Sequence, residues 1–109
     1  MKILVKKTIL FYIKNYPIAA TQLLIWYHEF SKLNFKNFNE LKKVYGNASI
    51  VSNNRVVFNI KGNDFRLVVS INFLQNACYV IWFGTHKKYD KINVETIAFD
   101  TSILTDKKI

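Results

Sequence analysis

The residues richest in chemistry are Arg66 and the run GTHKKYDKI from Gly84 to Ile92. A histidine, a tyrosine and a carboxylate just past a strand end (His86, Tyr89 and Asp90) can supply general acid–base catalysis. Lys87, Lys88 and Lys91 put cations beside them, and cations stabilise the charge of a pentavalent phosphorane. Taken alone, such a run is more often a polar loop than a site. Arg66 falls mid-strand, and an unpaired buried guanidinium is costly, so it needs a reason. Two are open: a structural salt bridge to Asp90 or Glu29, or a substrate phosphate. His28, beside Tyr27 and Glu29, reads as a partly exposed helix residue. The chain has few carboxylates and no pair of them at ligand spacing, which argues against a metal site. A nucleophilic Ser or Cys triad has no support. Cys78 reads as a small buried hydrophobe.

The element that must position Arg66 is the stretch Arg55 to Asn72, RVVFNIKGNDFRLVVSIN. Apolar and polar residues alternate on both sides of Gly62-Asn63, the period-2 pattern of half-buried strands. A two-residue turn at Gly62-Asn63, where positive φ is tolerated, sets Lys61 opposite Asp64, Ile60 opposite Phe65, Asn59 opposite Arg66 and Arg55 opposite Ser70. One face then carries Val56, Phe58, Ile60, Phe65, Leu67, Val69 and Ile71. The other carries Arg55, Asn59, Lys61, Arg66 and Asn72, with Val57 and Val68 between them. Cations and amides held on a rigid sheet suit an anion.

Around this hairpin the chain reads as follows. Ile3 to Val5 predicts a short strand and Lys7 to Asn15 a helix with Ile9, Leu10 and Ile13 on its apolar side. Tyr16-Pro17 breaks that helix. Pro17 suits the start of a second helix reaching about Lys32, where Ala20, Leu23, Leu24, Tyr27 and Phe30 recur at helical spacing with Trp26 beside them. Asn39 is a fair N-cap for a short helix, Glu40 to Tyr45, ended by Gly46. Ala48 to Val51 predicts a strand and Ser52 to Asn54 a turn. Gln75-Asn76 forms a second turn before a strand from Ala77 to Phe83. The expectation is one α+β domain over residues 1–109. Two to three N-terminal helices pack on one face of a small twisted antiparallel β-sheet, the basic face is left partly open, and the tail from 98 to 109 is less ordered.

Composition bounds the rest. Half of the residues are hydrophobic and 16% aromatic, which excludes a disordered chain. One cysteine excludes an internal disulfide framework. The lysine-flanked apolar start is interrupted by Lys6, Lys7 and Lys14 and lacks a small-residue cleavage site. No stretch approaches the ~20 apolar residues of a membrane span. These features predict a cytoplasmic protein without membrane contact. Sixteen Lys and Arg against seven Asp and Glu give +9, which points to a polyanionic partner, nucleic acid first. The plain alternative is a solvated basic surface enriched in lysine by an AT-rich genome.

Three stretches carry a resemblance that covers most of the chain, from about Ile3 to Thr96. They are YGNAS at Tyr45 to Ser49, NRVVFNIKGNDFRL at Asn54 to Leu67, and GTHKKYDKI. With WYHEF at Trp26 to Phe30, they resemble the HigB family of the RelE/ParE toxin superfamily. The resemblance implies a compact α+β fold and a toxin that cuts messenger RNA in the A site of the small ribosomal subunit. It also implies a helix-turn-helix, HigA-like antitoxin, with no DNA contact except through the antitoxin complex. No cofactor is implied: the 2′-OH attacks the adjacent phosphate without a metal, leaving a 2′,3′-cyclic phosphate and a 5′-hydroxyl. Arg66 matches the family's mid-strand arginine, for phosphate and transition-state stabilisation. His86 and Tyr89 become the acid–base candidates, and Asp90 orients His86 or pairs with a cation. Arg55, Asn59, Lys61, Lys87, Lys88 and Lys91 would hold RNA. RelE-type relatives place lysines where this chain has Val57 and Asn59, so Lys61 and His86 both stand as candidates for the base. A ParE-like gyrase poison and a non-catalytic basic RNA-binding domain are the alternatives on the same scaffold.

Overall fold

The computed structural model describes residues 1–4 and 6–99. In chain order it contains β1 (Lys2–Leu4), α1 (Lys6–Asn15), a 3-10 turn (Pro17–Ala19), α2 (Ala20–Ser31), α3 (Phe38–Val44), β2 (Ser49–Val51), β3 (Arg55–Ile60), β4 (Phe65–Asn72), β5 (Ala77–Thr85) and α4 (His86–Tyr89). The five strands form one sheet in the order β1-β5-β4-β3-β2. The architecture is α+β, as expected. The sheet is mixed rather than wholly antiparallel, because β1 runs parallel to β5 and pairs Lys2 with Ala77 through Leu4 with Tyr79. A strand separated from its partner by three helices and three strands has no tight turn to set its direction. The predicted first strand starts one residue earlier than expected, and Val5 lies outside the described residues.

The central hairpin has the register that its alternation predicts: Arg55 faces Ser70, Asn59 faces Arg66 and Ile60 faces Phe65. Its turn differs in detail. Positive φ falls on Lys61 (54°) and Gly62 (62°), not on Asn63. The Lys61 ammonium reaches the Asp64 carboxylate at 3.2 Å.

The core lies between the helices and one sheet face. Val56, Phe58, Ile60, Phe65, Leu67, Val69 and Ile71 are all buried in it, together with Leu23, Trp26 and Phe30 from α2. Trp26 stands at its centre, stacked on Phe30 at 5.0 Å and 5.3 Å from Phe58. Ring pairs of this kind add roughly 0.5–1.5 kcal/mol each beyond the area they bury. The apolar side of α1 is Thr8, Ile9 and Tyr12, whereas Leu10, expected inside, is exposed. At α3 the cap is Asn37, not Asn39. Its Oδ1 accepts from the Glu40 N–H at 3.0 Å, and Glu40 Oε1 accepts from the Lys36 N–H at 2.8 Å.

The second sheet face is less open than expected. Val57 and Val68 point away from the helices, yet they are only 3% and 0% exposed. The segment after α4 crosses this face. The Arg55 guanidinium donates to the carbonyls of Val94 (2.9 Å) and Ile97 (2.8 Å), and the Asn53 side-chain amide donates to that of Glu95 (2.7 Å). The tail expected to be less ordered falls largely on residues 100–109, outside the described residues. No described helix is long and apolar enough to cross a membrane.

Candidate active site

The run after β5 is not an irregular loop. Gly84 and Thr85 close β5, and His86–Tyr89 form the helical turn α4. Thr85 caps that turn, its hydroxyl accepting from the Lys88 N–H at 3.2 Å. The His86 N–H donates to the Asp64 carbonyl at 3.0 Å and so ties α4 to the hairpin turn. A threonine three residues ahead of Lys88 was the sequence signal for this cap.

The ladder sets Asn59, Arg66 and Gly84 side by side on β3, β4 and β5. This places the hairpin residues Asn59, Lys61 and Arg66 at the same sheet end as His86, Lys87, Lys88, Tyr89, Asp90 and Lys91. Arg55 is not among them. It lies four residues up β3, about 13 Å away along the strand. Its guanidinium holds the two carbonyls of the crossing segment and so fastens that segment to the sheet.

Arg66 is half-buried. Its Nη1 donates to the carbonyls of Asn63 (3.2 Å) and Phe65 (3.1 Å). Neither Asp90 nor Glu29 pairs with it, and among the described residues no carboxylate does. Its Cζ lies 5.9 Å from the centre of the Tyr89 ring. A planar cation braced by two backbone carbonyls, with Nε and Nη2 carrying no hydrogen bond among the described residues, presents a fork of donors of the kind that grips a phosphate.

His86 and Asp90 sit one turn apart on α4 and its C-cap, with Nε2 3.5 Å from Oδ1. Both side chains are about half exposed or more (49% and 63%), so the contact adds little to the stability of the fold. Nε2 is the ring nitrogen turned to the carboxylate. Lys88 is held against Tyr16, 3.3 Å from its hydroxyl and 5.7 Å above its ring. Lys87 and Lys91 are exposed, while Lys61 shares its charge with Asp64. Among the described residues no group of three or more His, Cys, Asp or Glu could hold a metal ion.

One residue at the site was not foreseen. Trp82 lies on the same sheet face as Arg66, its ring centre 6.3 Å from that of Tyr89. It reaches that face because Ile81 is an extra residue in β5. Val68 pairs with Trp82, but Val69 pairs with Val80. Such a bulge shifts the side-chain phase of a strand.

The chain was compared with known proteins. Residues 19–92 match the family model HigB_toxin, described as the RelE-like toxic component of a toxin-antitoxin system. Over 79 residues it is 32% identical to the mRNA interferase toxin HigB of Escherichia coli, covering 71% of this chain and 76% of that protein. The mRNA interferase HigB of Shigella flexneri matches to the same extent.

Proposed function

The chain belongs to the HigB family of RelE-like toxins, and from that premise we propose that it cuts mRNA on the translating ribosome by metal-independent attack of a ribose 2′-OH. It is an mRNA endoribonuclease and the toxic half of a toxin–antitoxin pair. Its partners are therefore an RNA target and an antitoxin, here a HigA-like helix-turn-helix protein. We place its action in the cytoplasm.

The observation that carries the mechanism is the Arg66 guanidinium, its Nε and Nη2 without a hydrogen bond among the described residues, 5.9 Å from the ring of Tyr89, which shares α4 with His86 and its partner Asp90. In the reaction the 2′-oxygen bonds to phosphorus and the bond from phosphorus to the 5′-oxygen breaks. His86 and Tyr89 form the proton-transfer pair. One takes the 2′-OH proton, and the other protonates the departing 5′-oxygen. Arg66 faces the non-bridging oxygens, where charge grows in the phosphorane, and its fixed position requires little reorganisation. Lys87, Lys88 and Lys91 line the approach of the backbone, and Asn59 stands beside Arg66 to position the scissile phosphate. Lys61, its ammonium paired with the Asp64 carboxylate, is the weaker candidate for the base.

The test is a transcriptome-wide map of 5′ ends after induction, with Arg66→Ala as control. New 5′-hydroxyl ends within translated frames, absent from the mutant, are the expected result. Growth arrest without such ends, accompanied by a DNA-damage response, would establish the gyrase reading instead.

A further inference from the structure

We propose that Trp82 is the stacking platform for a base of the mRNA beside the cut, with the groove between α1 and β5 receiving the neighbouring nucleotide. This rests on the reading of the chain as an mRNA endoribonuclease. Three observations converge on it.

The first is the shelf. Arg66 faces Gly84 across the ladder. A Cβ built on Gly84 would come 2.7 Å from Cζ2 and Cη2 of Trp82, so the indole lies over the glycine, in the space a side chain would fill. The ring can lie over Gly84, the cross-strand partner of Arg66, because the glycine has no side chain to displace it.

The second is continuity. Tyr89 links Arg66 to Trp82, the guanidinium 5.9 Å from the tyrosine ring and the tyrosine 6.3 Å from the indole. A phosphate held at Arg66 therefore has aromatic surface within one nucleotide of it. Single-stranded RNA is gripped in this way, by aromatic faces for bases and cations for the backbone.

The third is the groove that Trp82 leads into. It has a volume of about 400 Å³ and is lined by Phe11, Tyr12, Asn15, Tyr16, Phe83 and Lys88 as well as Trp82. That volume suits a small-ligand-sized group. β1 pairs with β5 only as far as Tyr79, so among the described residues the edge of β5 away from β4 has no strand beside its second half and the groove stays open there. At its rim Lys88 is fixed against Tyr16, a cation placed for the next phosphate. The Asn15 amide nitrogen donates to the Phe11 carbonyl at 3.0 Å, and its Oδ1 is the atom offered to a base edge.

The experiment measures cleavage of a synthetic mRNA on programmed ribosomes by the wild type, Trp82→Ala, Trp82→Leu and Trp82→Phe. Each is given intact RNA, then RNA with an abasic residue at either nucleotide flanking the cut. Trp82→Ala and Trp82→Leu are expected to lower kcat/KM on intact RNA by about 5- to 150-fold, the range for one lost base stack. Trp82→Phe keeps most of the activity. One of the two abasic RNAs removes the difference between wild type and variants. If Trp82→Leu folds and cuts intact RNA like the wild type, the proposal is overturned. It is also overturned if the variants lose the same factor on all three RNAs, which would make the indole structural. A wild type that leaves intact RNA uncut on ribosomes would sink the nuclease reading, and this proposal with it.

Discussion

Arg66 and Gly84 face one another across the β4–β5 ladder, and the space of the missing glycine side chain is occupied by the indole of Trp82. The cation that we assign to the phosphate and the aromatic surface beside it are thus set by one cross-strand pair. Gly84→Ala should push the far edge of the indole away rather than the backbone. The variant should stay folded, with a changed tryptophan emission from Trp82, and cleave mRNA more slowly than the wild type. An unchanged emission spectrum would show that the shelf does not hold the ring.

His86→Ala removes one member of the proton-transfer pair and should lower single-turnover cleavage by about 10²- to 10⁴-fold. The side chain is half exposed, so the melting temperature should barely move. Asp90→Asn removes only an exposed orienting contact and should cost at most about fivefold. Rates on programmed ribosomes, read beside thermal melts, check both. Equal losses in the two variants would mean that the aspartate takes part in the chemistry itself.

Arg55→Ala separates fastening from RNA binding. Losing two charge-assisted bonds to the carbonyls of Val94 and Ile97 should reduce stability by about 1–3 kcal/mol. At a temperature where the variant is fully folded, its affinity for RNA and its cleavage rate should match the wild type. Denaturant melts and RNA-binding titrations give the two numbers. A weakened affinity in folded protein would return Arg55 to the RNA surface.

Tyr45 packs against Phe30, Phe35 and Phe58. Burial first, and the Glu29 carboxylate second, push its hydroxyl up to about 12 from an ordinary 10. A group with a raised folded value contributes its stability fully below its unfolded value. That contribution is lost as pH climbs from about 10 towards 12, because the unfolded chain gives up the proton more readily. The wild type should therefore lose stability over that window, and Tyr45→Phe should lose less. Denaturation midpoints measured from pH 9 to 12 test it.

How much of this was legible in the sequence differs from residue to residue. The hairpin register was fully legible: strict alternation allows only one phase that buries Phe58, Ile60, Phe65 and Leu67, and Gly62 marks the reversal. That alone placed Asn59 opposite Arg66 and put both on the face away from the core. The two long helices and the cluster of His86, Tyr89 and Asp90 followed from residue types and local spacing, and the family from the resemblance of the longer motifs. The parallel β1, the segment fastened by Arg55 and the place of Trp82 did not, because each depends on parts of the chain far apart in sequence. CYVIWFG, from Cys78 to Gly84, shows no polar alternation and reads equally well in either phase. Only packing decided it. Val80 and Phe83 are both buried on the helix side, and the extra residue Ile81 between them turns Trp82 out towards Arg66. The sequence by itself determined which groups could handle a phosphate. The tertiary structure decided what stands next to them, because a one-residue bulge carries no local signature when every residue around it is apolar.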